Sequence, residues 1–299
     1  MKKLLAVLTV ILAQLPAIAQ NPPGMDMEIK QFEDQKVEST IEYYGDLPSR
    51  ITKVVTASDN SMTDLLIRNA IEEGWTLSPY EFCTYGEFDK LKTDTSYYFL
   101  MRVDKMHRKG SDPAIEYLCF LKGNEEAGED LSAMPELIAL PLFPENGNSG
   151  RIFSYIPAYV NIIQNYLQKI YEGKLYPSKN GRIHLGRMDR SGIRTILLNE
   201  DDMAYRPAMQ RFEKIFGGKA KAVPQDSIDA AMDNAAGQTL VSLVVAPETG
   251  SYGSPCWKIL ISADTYELYY FKKHKITPKK GPGFLKSDLR RISRMLKSE

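Results

Sequence analysis

"SYYFLMRVDK" (residues 96–105) decides how the rest of the chain is read. From Tyr97 to Val103 it is aromatic and aliphatic with one charge, Arg102, and no helical rhythm, between the polar "KTDT" (92–95) and the basic "KMHRKG" (105–110). An unbroken apolar run of this length predicts a central strand covered on both faces. Upstream, Thr84 and Glu87 of "TYGEFDKLK" have the spacing of a capping box opening a short helix. "TLSPYEFC" (76–83) reads as a strand that Pro79 keeps at an edge or a start. "SMTDLLIRNAIEEGW" (61–75) places Met62, Leu65, Leu66, Asn69, Ala70 and Glu73 at helical spacing with Gly74 as its stop, and "RITKVVTA" (50–57) is a strand.

A step of 142 residues finds the same order again. Ile51 maps to Ile193, opening "IRTILLNE", and Met62 to Ala204, opening "AYRPAMQRFEKIFGG". Thr84 and Glu87 map to Asp226 and Asp229 in "QDSIDAAMDNA", a helix start with an acidic first turn. Tyr97 maps to Thr239 in "TLVSLVVA", and Pro113 to Pro255, each proline heading a strand ("AIEYLCFL", "CWKILIS"). "ELIALPLF" (136–143) corresponds to "ELYYFKKHKI" (267–276). Each half closes on an amphipathic helix. The first is apolar at Ile156, Tyr159, Val160, Ile163, Leu167 and Ile170, the second at Leu285, Leu289, Ile292 and Leu296. The expectation is an α/β (α+β) class chain of two similar mixed-sheet domains, each of order β-α-β-α-β-β-β-α, in tandem. The first repeat spans 49–173, a Gly-, Pro- and base-rich linker 174–192, and the second repeat 193–299. Residues 20–48 form a leader, whose "DQKVESTIEYYG" predicts either a short helix or an added edge strand.

This element order resembles the amino-terminal domain of the TolB family and the CsgG-like curli-secretion domain, periplasmic α/β modules with helices on a mixed sheet. The resemblance covers both halves at the level of topology and rests on no diagnostic motif. The lipobox of several such relatives is absent. It implies envelope assembly or adaptor work rather than catalysis.

The first residues point the same way. Lys2 and Lys3 precede an apolar run from Leu4 to Leu15, and Ala17-Ile18-Ala19 stands before Gln20, the pattern of a cleavable export signal over 1–19. Export to the periplasm or beyond, with cleavage before Gln20, is expected, and no later stretch predicts a transmembrane segment. The formal charge is zero but uneven: residues 21–150 carry 24 acidic and 12 basic side chains, and residues 151–299 carry 14 and 24. Oppositely charged halves suit either mutual packing or separate partner surfaces. The cysteines, Cys83, Cys119 and Cys256, form no CxxC pair and no Cys/His ligand set, so no metal or other cofactor is expected.

Catalytic signals are weak. There is no GxSxG elbow, and His107, His184 and His274 sit in basic surroundings that read as solvated surface. The turns "TASDNSM" and "LNEDDMA" are acidic and lack glycine, which disfavours phosphate. Their Asp59 and Asp201, with Asp64 and Asp202 close by, read as helix caps in preference to a cation site. Two loops, "PENGNSGR" (144–151) and "PETGSYGSP" (247–255), have the composition of binding loops as well as of ordinary turns; Asn146, Asn148, Ser251 and Tyr252 are their candidate contacts. The distinctive feature is basic: Lys286, Arg290, Arg294 and Lys297 share a face of the last helix, with Arg291 beside them. The partner expected there is an anionic envelope component, a protein or the acidic first half, and not nucleic acid. The expected function is a non-enzymatic envelope binding or adaptor module without catalytic residues. The alternative is a periplasmic or secreted hydrolase with its site between the repeats.

Overall fold

The computed structural model describes residues 42–57, 61–105, 114–128, 130–145, 147, 149–175, 192–247 and 252–296. The export signal, most of the leader, most of the linker, Asp59, His107, His184, Asn146, Asn148, Ser251 and Lys297 lie outside the described residues.

The chain builds two mixed five-stranded sheets. Unit one contains β1 (Thr52–Val55), α1 (Met62–Gly74), β2 (Tyr80–Cys83), α2 (Tyr85–Leu91), β3 (Tyr98–Lys105), β4 (Ile115–Lys122), β5 (Glu136–Pro144) and α3 (Ile156–Tyr171). Unit two repeats the series as β6 (Thr195–Asn199), α4 (Met209–Phe216), β7 (Ala220–Val223), α5 (Gln225–Asp233), β8 (Thr239–Val245), β9 (Pro255–Ser262), β10 (Leu268–Lys275) and α6 (Lys286–Met295). The strand orders are β2-β1-β3-β4-β5 and β7-β6-β8-β9-β10. In both, the first three strands run parallel and the last two join antiparallel. β3, within residues 96–105, lies in the middle of its sheet with Tyr98 to Met101 buried, and β8 holds the same place in unit two.

Register makes the equivalence residue by residue. Tyr98 stands opposite Thr52 and Lys122, and Leu240 opposite Ile196 and Ser262. The uniform step therefore holds at β3 and β8 but slips elsewhere, since Thr52 corresponds to Ile196 and not to Arg194. Different loop lengths absorb the slip.

Local chemistry explains the helix ends. The Thr84–Glu87 capping box opens α2 as expected. α4 begins at Met209 and not at Ala204, because Pro207 drives Arg206 out of helical conformation. It ends on Gly217 at φ 61°, the left-handed cap a glycine adopts without strain. On α1 the expected inward stripe is rotated: Met62 and Leu65 are exposed, while Thr63, Asp64, Ile67, Ala70 and Ile71 are buried. The cause is Asp64, which Arg102 and the Ala57 amide draw inward. Residues 42–44, at the end of the leader, are helical and add no edge strand.

The units share a core. Val241, Leu243 and Val245 of β8, with Trp257, Ile259 and Ile261 of β9, join the cluster of β3, β4, β5 and α3. Tyr117 accepts a 2.8 Å hydrogen bond from Trp257 Nε1 across the junction, and Tyr155 donates to the Ser242 carbonyl at 2.7 Å. The alternate side chains of the second sheet, including Ile196, Leu198, Leu240 and Leu260, pack with α4 and α6 in a separate cluster. Sheet two thus lies between unit one and its own last helix.

Candidate functional site

The basic face is built on α6. Leu289 and Ile292 are fully buried against the sheet, each such side chain contributing about 1.5–3 kcal/mol, whereas Leu285 and Leu296 are half-buried at the ends. A polar anchor joins them. Lys258, 1% exposed on β9, donates to Asp288 Oδ2 at 2.9 Å and meets His274 Nδ1 at 2.9 Å. Tyr270 donates to Asp288 Oδ1 at 2.8 Å and the Leu285 amide to Oδ2 at 2.9 Å. Burial alone would raise the Asp288 carboxyl; Lys258, Leu285 and Tyr270 outweigh it and hold the carboxyl below its usual range. Burial and the Lys258 ammonium together lower His274. His274 Nε2 donates to the Gly281 carbonyl at 3.0 Å, which leaves Nδ1 as the acceptor from Lys258. His274 is therefore a half-buried member of the anchor and not a solvated surface histidine; a sequence separation of 16 from its lysine partner hid this.

Outside that anchor, Arg290, Arg291 and Arg294 are exposed, and Lys286 is half-exposed over the Tyr205 ring at 5.7 Å. None of the four makes an ion pair among the described residues. Lys272, Lys275, Lys279 and Lys280 are exposed as well. Among the described residues no acidic side chain of the first half, one of the candidate partners, pairs with this face, because sheet two separates α6 from unit one. The units meet largely through apolar side chains, and at the junction Arg151, just before α3, pairs with Asp202 of unit two. Tyr252, 59% exposed in the turn before β9, is distinct from this face in the chain.

A second place collects polar groups beyond the carboxyl ends of β6 and β8, where parallel α/β sheets commonly bind ligands. Arg151, from the turn before α3, donates to both oxygens of Asp202 at 2.9 and 2.8 Å and through Nε to Gln225 at 3.1 Å. Gln225 also accepts from Asn199 at 2.6 Å and donates to Asp229, which Ser154 contacts at 3.1 Å. Burial raises the Asp202 carboxyl and Arg151 opposes that rise. Beside the pair lies a cavity of about 400 Å³ lined by Asp201, Val244, Ala246, Pro247, Pro282 and Gly283. Gly283, at φ 109°, passes so close that a Cβ there would stand 2.3 Å from the Asp202 carbonyl oxygen. In unit one the equivalent of Val244 is Arg102, which binds Asp64 at 2.8 Å and Glu116 at 2.7 Å. Arg151 ends the loop "PENGNSGR" (144–151) without being one of its candidate contacts, and Gln225 carried no signal as a site residue; the junction brings them together.

Among the described residues no group of His, Cys, Asp and Glu is arranged to hold a metal ion. The three cysteines are buried free thiols, and burial pushes Cys83 and Cys256 up to about 11, which keeps both protonated at neutral pH. No described helix is long and apolar enough to cross a membrane. Comparison of the chain with protein-family models, with curated proteins and with solved structures finds no match in any of the three.

Proposed function

We propose that the protein is an exported, non-enzymatic binding module of the cell envelope that holds an anionic partner against the outer face of α6. The observation that carries this reading is the row Lys286, Arg290 and Arg294, with Arg291 beside it. These cations share one helix face and make no ion pair among the described residues, on a helix fastened beneath by Leu289, Ile292 and the Lys258–Asp288 pair. Like charges at i, i+4 cost a few tenths of a kcal/mol per pair, and an anionic partner offsets that cost. The export pattern read in residues 1–19 supports an envelope partner. The hydrolase alternative has the junction cavity and the raised Asp202 carboxyl in its support, but both Asp202 oxygens are engaged by Arg151.

Reversing three charges, Arg290→Glu, Arg291→Glu and Arg294→Glu, tests the reading. Binding of the mature protein to vesicles rich in phosphatidylglycerol and to a soluble polyanion should weaken strongly at low salt, where screening is least. Unfolding free energy should stay within about 0.5 kcal/mol per substitution, as for surface changes generally. Equal binding by wild type and the triple variant at low salt would remove the basic face from the function.

A further inference from the structure

The two edge strands that follow the first helix of each unit differ in a telling way. Tyr80 and Phe82 of β2 stand opposite Thr52 and Val54, and Ala220 and Ala222 of β7 stand opposite Ile196 and Leu198. Because Thr52 and Ile196 are themselves equivalent, Tyr80 corresponds to Ala220 and Phe82 to Ala222. In unit one the two rings meet edge to face at 5.7 Å, and Arg68 of α1 lies 4.3 Å above the Phe82 ring. In unit two the methyl groups leave a groove of about 690 Å³ between β7, α4 and the chain leading to α4. Met203, Phe212 and Val223 give it an apolar lining, and Met209 stands on its lip, 78% exposed. The neighbouring helix, which supplies the cation Arg68 in unit one, supplies the carboxylate Glu213 in unit two. Glu200 and Asp201 extend the acidic rim, and Arg206, 3.7 Å from Asp201, and Lys221 also line the groove. Relative to its sister, the groove lacks the ring, and three acidic side chains (Glu200, Asp201, Glu213) line it against two basic ones (Arg206, Lys221).

The backbone beside it is open too. Among the described residues β7 ends its sheet and pairs with β6 alone. The Ile196 amide bonds the Lys219 carbonyl, so in a parallel ladder the amides and carbonyls of Ala220 and Ala222 point away from β6.

We propose that this groove binds an extended segment of a partner polypeptide carrying a phenylalanine or tyrosine beside an arginine or lysine. The segment adds as a further strand along β7, its ring lies over Ala222 against Phe212, and its cation meets Glu213 and Glu200. The site is separate from the basic face of α6.

The probe is the peptide acetyl-Thr-Phe-Thr-Arg-Thr-amide, titrated into isotopically labelled full-length mature protein and followed by NMR. Saturable shifts are expected at Met209, Phe212 and Ala222, with a dissociation constant below about 1 mM. Ala222→Phe, which installs the ring of the sister unit, should weaken binding by about tenfold or more. Glu213→Arg, an exposed change that does not depend on repacking the groove, should weaken it several-fold. The Arg290, Arg291 and Arg294 triple reversal should bind the peptide as wild type does, which separates this site from the basic face. Absence of saturable shifts in wild type overturns the proposal, as does unchanged binding by a folded Ala222→Phe protein. If Ala222→Phe does not fold, unchanged binding by Glu213→Arg overturns it. Equal binding of a peptide with aspartate in place of arginine refutes the assigned ligand chemistry.

Discussion

α3 and α6 close the two units at the same point in the element order, yet they meet different surroundings. α3 is buried almost all round: Ile156, Tyr159, Ile163, Leu167 and Ile170 are wholly enclosed, and Asn161 reaches the Thr265 carbonyl of unit two at 3.2 Å. α6 buries one side and presents arginines on the other. Beneath it the sheet changes as well: Leu118 of β4, fully buried in an apolar cluster, corresponds by register to Lys258 of β9. A helix covered by a sister unit can be held by apolar area on every side. A helix covered on one side gains its position from fewer contacts, and here a buried ion pair adds to them. The comparison teaches that what covers the outer face decides the chemistry of both faces.

The sharpest way to break this comparison is to remove the anchor. Asp288→Ala leaves Lys258 buried without its carboxylate and should lower the unfolding free energy by about 3–5 kcal/mol in urea titration. The double change Lys258→Met with Asp288→Leu, which makes unit two resemble unit one, should restore most of that loss. A smaller but still large effect is expected at the junction. Arg151→Met leaves the buried Asp202 unpaired, at a cost of about 3 kcal/mol at neutral pH. The sign with pH follows from the raised carboxyl: the native state binds the proton more tightly than the unfolded chain. The penalty is therefore absent below the unfolded value and grows as pH rises through the folded one. Stability of the variant, relative to wild type, should recover on acidification. Gly283→Ala should cost roughly 1–3 kcal/mol, because a Cβ cannot stand beside the Asp202 carbonyl and φ is positive.

The smallest expected effect sharpens the account of His274. Its lowered value means that the unfolded chain binds the proton first, so its contribution to stability is present above the unfolded value and is lost as pH falls through the folded one. The groups facing it are Lys258 of β9, Asp288 of α6 and Lys280 of the following turn. Thermal unfolding of wild type minus that of His274→Gln should decline from the mid-sixes downward. A flat difference would mean that the imidazole does not feel the ammonium.

Topology was legible in the sequence because it is carried by contiguous signals: the apolar runs of β3 and β8, the Thr84–Glu87 box, and Pro79 at the start of β2. Side-chain direction was less so. Met62 and Leu65 have the hydrophobicity of a core stripe, but a stripe is chosen by total energy, and the paired Asp64 turned the helix. Lys258 within "CWKILIS" looked like one polar residue in a strand, since its partners His274, Asp288 and Tyr270 lie on other elements. The basic row of α6 was visible as spacing, but its isolation from the acidic half was not, because that depends on which face of sheet two each partner covers. The junction required knowledge of which elements meet, and the β7 groove required register, because a constant step of 142 misplaces β7 against β2 by two residues.

The central claim is that α3 is covered by its sister unit while α6 keeps an outer face for a partner. Hydrogen exchange of the full-length mature protein, read separately over Ile156–Tyr171 and Lys286–Met295, tests it most directly. α3 should exchange slowly with or without vesicles rich in phosphatidylglycerol. α6 should exchange faster than α3 in the free protein and slow markedly when the vesicles are added at low salt, with the triple arginine reversal abolishing that protection. If α6 is already as protected as α3 in the free protein, or if anionic vesicles leave it unchanged, the open face is not a partner surface and the account is contradicted.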